Sequence, residues 1–186
     1  PFMYLGAKHM VTGYDHLLFL VGVIFFLYRL NDIVIYVSLF AVGHSSTLLL
    51  GVFADIHVNA FIIDAIIGLS VVYKALDNMG AFQQWFGVQP NTKISTLIFG
   101  LFHGFGLAAK IIEFDMDSNG LFTNLISFNI GVEIGQLLAL SAILILISYW
   151  RKQPSFLIYA YSTNIVLMIS GFILTGYQLF EYFNSL

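Results

Sequence analysis

The chain has 186 residues, of which 59% are apolar or aromatic and only 9% charged, with a mean hydropathy of +0.90. Soluble domains carry roughly a quarter charged residues, so the composition excludes a soluble domain and indicates an integral membrane protein. Seven Lys+Arg against ten Asp+Glu, a formal net charge of −3 with no basic run, exclude an electrostatic nucleic-acid surface, and the absence of cysteine excludes disulfides and thiolate metal sites.

A membrane-spanning helix needs about 20 mostly apolar residues, and six runs approach that length. They cover about Val11 to Tyr28, Ile33 to Ala54, Val58 to Leu76, Ile94 to Ala109, Leu121 to Trp150 and Ser155 to Phe180. A β-barrel would require strict alternation in short segments, which stretches such as Leu137 to Ile147 do not show. The expected fold is therefore an all-α bundle of about six transmembrane helices, forming one domain over residues 1–186. The longest polar connection runs from about Asp77 to Lys93. The chain opens on Pro1, which leads to the expectation that a leader or an N-terminal domain has been removed or the sequence trimmed. No GxxxxGK[ST] phosphate loop is present, so nucleotide-driven work by this chain is not expected.

Lys and Arg near helix ends set orientation. Arg29, Lys74, Lys93, Arg151 and Lys152 flank the first, third and fifth connections. Lys8 and Lys110 lie on the other side, where the fourth connection is acidic through Glu113, Asp115 and Asp117. The bias places the odd connections in the cytoplasm and both termini outside, as in a multi-pass protein of a bacterial inner membrane.

Ionisable side chains inside the bilayer are costly, and each is by default a functional-site candidate. Here five expected helices contribute one apiece: His16, His44, Asp64, His103 and Glu133, with His9 and Asp15 at the start of the first. Counted from the helix ends, all fall roughly 10–18 Å below the external surface, a shared depth that points to one site. Imidazole is the commonest ligand for Zn, Ni, Cu and Fe, and carboxylates are frequent partners, so the set suits a divalent transition metal better than Mg or Ca. His9 and His16 stand seven apart, about two turns, and so share one face where the first helix extends back to His9. Asn129, Glu133 and Gln136 form a polar stripe in which the two amides could hold the carboxylate, and Asp64 is a further supporting residue. Gly100, Gly104 and Gly106 around His103, with Gly131 and Gly135 beside Glu133, are expected to bring the fourth and fifth helices together. His57 falls in an external loop and reads as solvated. Asp64 is about 15 Å along its helix from Lys74, too far to pair with it. The Phe and Tyr residues read as packing or lipid-facing material.

The strings His9-Met-Val-Thr-Gly-Tyr-Asp15-His16-Leu-Leu-Phe-Leu, His44-Ser-Ser-Thr-Leu, Phe99-Gly-Leu-Phe-His103-Gly-Phe-Gly and Phe128-Asn-Ile-Gly-Val-Glu133-Ile-Gly-Gln136 resemble the HupE/UreJ family, in its branch with a DHLLFL-type first helix. The resemblance extends to about Gln136. It implies a nickel or cobalt permease serving metalloenzyme maturation, with His9, Asp15 and His16 handling the metal and maturation proteins as candidate partners. Homo-oligomerisation is a further expectation.

Two mechanisms fit these residues. In the first, an outer site of imidazole and carboxylate captures Ni, Co, Zn or Cu and passes it inward, although Ser70, Tyr73 and Ser95 are the few polar groups available for an exit path. In the second, three His ligands hold zinc with an open water position, and Glu133 or Asp15 acts as general base for hydrolysis. A bis-His haem through His44 and His103 is a third reading, which leaves the carboxylates without a role.

Overall fold

The computed structural model describes residues 2–113 and 120–186, so Asp115 and Asp117 of the acidic connection lie outside the described residues. The described residues form eight helices and no strand: α1 (Phe2–Thr12), α2 (Tyr14–Ile24), α3 (Leu30–Phe53), α4 (Ala60–Asn78), α5 (Ala81–Phe86), α6 (Thr92–Glu113), α7 (Leu121–Arg151) and α8 (Ser155–Asn184). Length and composition mark α3, α6, α7 and α8 as able to cross a membrane. The sequence leads to six such segments, and the two others differ for identifiable reasons.

The expected first span, Val11 to Tyr28, begins nine residues too late and is not one helix. Helix starts at Phe2 and breaks at Gly13, whose backbone is extended (φ −74°, ψ 103°), before α2 resumes. A side chain at Gly13 would stand 3.0 Å from both Asp15 Oδ1 and His16 Nδ1, and 3.1 Å from the carbonyl of His9. The break thus occurs where two site residues crowd the backbone. From Phe2 to Ile24 the two halves together extend about 34 Å, close to a bilayer thickness. The other exception, α4, is 19 residues long but carries Asp64, Lys74 and Asp77.

Helices associate in three close pairs, each built on small residues. Along α3 and α6, Gly100 lies against the carbonyl of Phe40 and Gly104 against that of His44; a Cβ on either would come within 2.5 Å of the oxygen. The matched rise in residue number makes this pair parallel. Gly131 and Gly135 pack on Met3 and Ala7 of α1 in the same parallel sense, and Gly68 of α4 meets Gly171 and Thr175 of α8 antiparallel. The sequence reading had these glycines joining the fourth and fifth expected helices. Instead they join α6 to α3 and α7 to α1, because a bare backbone is useful wherever a neighbour approaches, and spacing does not name that neighbour.

Polar groups at one end of the bundle close the helix termini. Arg151, ending α7, donates to the carbonyls of Phe25 (2.7 Å), Leu27 (2.8 Å) and Ile24 at the C-terminus of α2, and its guanidinium lies 4.5 Å from the Tyr28 ring centroid. The carbonyls of Phe25 and Leu27 lie past the last turn of α2, while that of Ile24 also accepts from the Leu27 N–H at 3.1 Å. Asn78 donates to the carbonyl of Gly22 (2.8 Å) and to Asn164 (2.9 Å), tying α4 to α2 and α8. Lys74, one of the cations used to orient the chain, is buried, and its ammonium lies 2.6 Å from Asp77. Gln89 and Thr92 also donate to that carboxylate. Lys74 is thus part of an internal ion pair, where the sequence reading had it flanking the membrane. Between these groups the 77–93 connection carries α5, bounded by Gly80 and Gly87 at φ 71° and 69°, left-handed conformations that favour glycine.

Candidate metal centre

Four histidine rings from four helices meet in the interior. His16 is their hub, with ring centroids 5.2 Å from His9, 5.9 Å from His44 and 4.8 Å from His103. Two imidazoles bound to one tetrahedral ion at about 2.0–2.1 Å per nitrogen would have centroids about 5 Å apart, so these spacings are of the size that a shared ion requires. Nevertheless, among the described residues no group of three or more His, Asp or Glu side chains already has the geometry of an assembled ion site. His44 stands about 14 Å from the end of α3 at Phe53, and His103 about 15 Å from the end of α6 at Glu113, close to the midpoints of both helices.

The hydrogen bonds fix how these rings present themselves. His103 Nδ1 is 2.7 Å from the carbonyl of Phe99, which can only accept, so Nδ1 carries the proton and Nε2 keeps its lone pair. His16 Nδ1 is 3.0 Å from Asp15 Oδ1, and the same logic leaves Nε2 of His16 as the free lone pair. A carboxylate or carbonyl behind a metal-ligating imidazole performs this orienting task in many metal sites. Nε2 of His9, Nε2 of His16, both nitrogens of His44 and Nε2 of His103 are buried with no hydrogen-bond partner. A buried polar atom without a partner costs about 1–3 kcal/mol. Each neutral ring carries one N–H and one lone pair, so His16, His103 and His44 each leave a buried lone pair without a partner, on rings gathered around His16, which calls for a ligand that accepts lone pairs.

The carboxylates divide into different environments. Asp15 is in the site through His16. Asp64 accepts from Lys110 at 2.7 Å and lines a cavity of about 230 Å³ together with His9, Gly13 and Asp15. Glu133 is half-buried and accepts from the Ser45 hydroxyl at 3.3 Å, while Asn129 Nδ2 donates to that same Oγ at 3.0 Å. Asn129 thus reaches Glu133 through Ser45, the neighbour of His44. Gln136 donates instead to the carbonyl of Val37 at 3.4 Å and acts between α7 and α3. His57 is exposed, 3.8 Å from Asp55.

Three features lay beyond sequence reasoning. Lys110 as the partner of Asp64 joins residues 46 positions apart, and Ser45 as the bridge to Glu133 joins residues 88 apart. The third is the aromatic floor: Phe40 packs 4.9 Å from His103 and 6.1 Å from His44, Phe19 lies 5.4 Å from His103, and Phe99 lies 5.7 Å from Phe19. These rings are site walls, although the composition reading had the Phe residues as packing or lipid-facing material. His16 and Phe40 both pack against His44 and His103. Beyond Phe99 comes Tyr73 at 5.1 Å, hydrogen-bonded to Ser95 at 2.8 Å.

Comparisons with curated protein sequences and with solved structures returned no match. A family model described as HupE / UreJ protein matches residues 1–185, almost the entire chain, and the chain belongs to the HupE/UreJ family.

Proposed function

We propose that this chain is a divalent-metal permease of the nickel/cobalt type, with His9, His16, His44 and His103 as the imidazoles that strip and hold the ion. The observation that carries this reading is the set of five buried, unpartnered imidazole nitrogens gathered around His16. Asp15 orients His16 and supplies the negative charge that a dehydrated cation needs at close range. Glu133, held by Ser45 beside His44, is a further oxygen donor near the site. The cargo set is Ni, Co, Zn and Cu, since imidazole and carboxylate bind all four and rank them by the Irving–Williams order.

Six crossings complete the proposal: the broken α1–α2 segment, α3, α4, α6, α7 and α8, with both termini outside a bacterial inner membrane. The cavity bordered by His9 and Asp15 is the external approach. On the opposite side the path is closed in this conformation by Phe19, Phe40 and Phe99, and the Tyr73–Ser95 pair is the next polar station. The zinc-hydrolase alternative is weaker. It needs a carboxylate placed to activate water, whereas Asp15 is engaged through Oδ1 by His16.

The test is Ni²⁺ uptake into proteoliposomes alongside equilibrium binding in detergent. His16→Ala and His103→Ala should each lower binding and uptake by at least 100-fold. Asp15→Asn, which removes only the orienting charge, should lower affinity by about 10–100-fold. Full binding in both histidine variants would refute the site, and tight binding without any uptake would refute transport.

A further inference from the structure

The approach to the imidazoles contains a cation of the protein's own. Among the described residues, the access cavity carries two carboxylates, Asp15 and Asp64, and the ammonium of Lys110. Asp15 and His9 belong to the metal site, so whatever fills this cavity is in contact with the site itself. Lys110 reaches across from α6 to α4 to sit 2.7 Å from Asp64 Oδ2. The two partners are unequal in freedom: the Asp64 side chain is 11% exposed and the Lys110 side chain 43%. The carboxylate is part of the wall, and the lysine, on its flexible four-carbon stem, is the partner able to leave. The Lys110 side chain, at 43% exposure, can swing its ammonium outward from Asp64 while its stem stays in the wall.

We propose that Lys110 is the access-controlling residue of the imidazole site, a tethered cation moored on Asp64 that an incoming divalent ion displaces on its way to His9 and His16. With the ammonium in place, the cavity's two carboxylates are half neutralised. When it swings away, Asp64 and Asp15 together present two negative charges to the ion. The lysine therefore sets the threshold for occupancy: a competing cation must be attracted strongly enough by both carboxylates to unseat an intramolecular one, which favours divalent over monovalent ions. This inference rests on the metal-binding reading above and adds the means by which the site is reached.

The experiment is stopped-flow association of Ni²⁺ with the full chain in detergent, read by loss of free Ni²⁺ from a metallochromic dye. Lys110→Met removes the internal competitor and should raise the association rate constant by about tenfold or more, the scale on which a cleft's charge alters cation capture. Asp64→Asn leaves the ammonium in the cavity without its counter-charge and should slow association by about as much. Lys110→Arg keeps the charge and should restore the slow rate. Opposite signs for the two single variants are the signature, because both break the same ion pair and loss of a merely structural contact would move them together. A Lys110→Met protein that binds at the wild-type rate or more slowly, or an Asp64→Asn protein that binds faster, overturns the proposal. His103→Ala, measured in parallel, separates the two levels: if it binds as well as wild type, the imidazole site itself is refuted. If it loses binding while Lys110→Met is unchanged, access control alone fails.

Discussion

Gly104→Ala tests whether the α3–α6 approach builds the site. A Cβ at this position would stand 2.1 Å from the carbonyl oxygen of His44 and 2.2 Å from Thr47 Oγ1. Ordinary carbon–oxygen contact is about 3.4 Å, and attractive contact between heavy atoms begins near about 3.5 Å, so the helices must separate by about 1 Å. The nearer obstacle is backbone and cannot rotate aside. Overpacking of this kind costs about 1–3 kcal/mol, and the Thr47 hydroxyl's bond to the carbonyl of Leu101 (2.7 Å) is strained with it. Alanine is a better helix former than glycine by about 1 kcal/mol, which offsets part of that. Gly176 on α8, where an added Cβ meets nothing within 4 Å, provides the control: Gly176→Ala keeps the gain without the clash. At about 2–4 °C per kcal/mol for a chain of this size, Gly104→Ala should melt several degrees below Gly176→Ala in detergent, followed by circular dichroism.

The functional readout is more sensitive. Ligand distances must hold to about 0.2 Å for a metal site to form, and His44 and His103 lie on the two helices being forced apart. Calorimetric titration with Ni²⁺ should therefore show at least about tenfold weaker binding for Gly104→Ala and unchanged binding for Gly176→Ala. Equal melting temperatures and equal Ni²⁺ affinities for the two variants would refute the argument that this glycine contact sets the spacing of the imidazoles.

Asp77→Asn should destabilise the protein by about 3–5 kcal/mol, because it strands the buried Lys74 ammonium; thermal melts compared with Lys74→Met/Asp77→Leu, which removes both charges, should show the double variant recovering most of the loss. Orientation is open to thiol labelling, since the chain has no native cysteine. In intact cells Ser185→Cys should react with a membrane-impermeant maleimide and Lys152→Cys should not, and the reverse pattern would invert the proposed topology.

The amino-acid sequence by itself determined the solvent and the chemistry. So few charges in so apolar a chain require a bilayer, and histidines placed within its helices require partners there, because burying a polar group without one is costly in any fold. For that reason His9, His16, His44 and His103 were legible as candidates, and the structure brings their rings together around His16. What the sequence left undetermined follows from the limits of periodicity. The Gly13 break is a local backbone choice at a glycine crowded by Asp15 and His16, which an apolar run does not reveal, so a continuous helix was expected and the first span was placed too late. Glycine spacing marked where backbones touch without saying which backbones, and only the tertiary structure paired α6 with α3 and α7 with α1. The same limit governs charges. Lys74 reads as a membrane-flanking cation and Asp64 as a lone carboxylate until folding sets Asp77 against the first and Lys110 against the second, and Glu133 meets Ser45 across 88 residues of chain. Composition and local pattern act over a few turns of helix and settle which groups must be buried; which group each then faces is decided by contacts between helices distant in the chain.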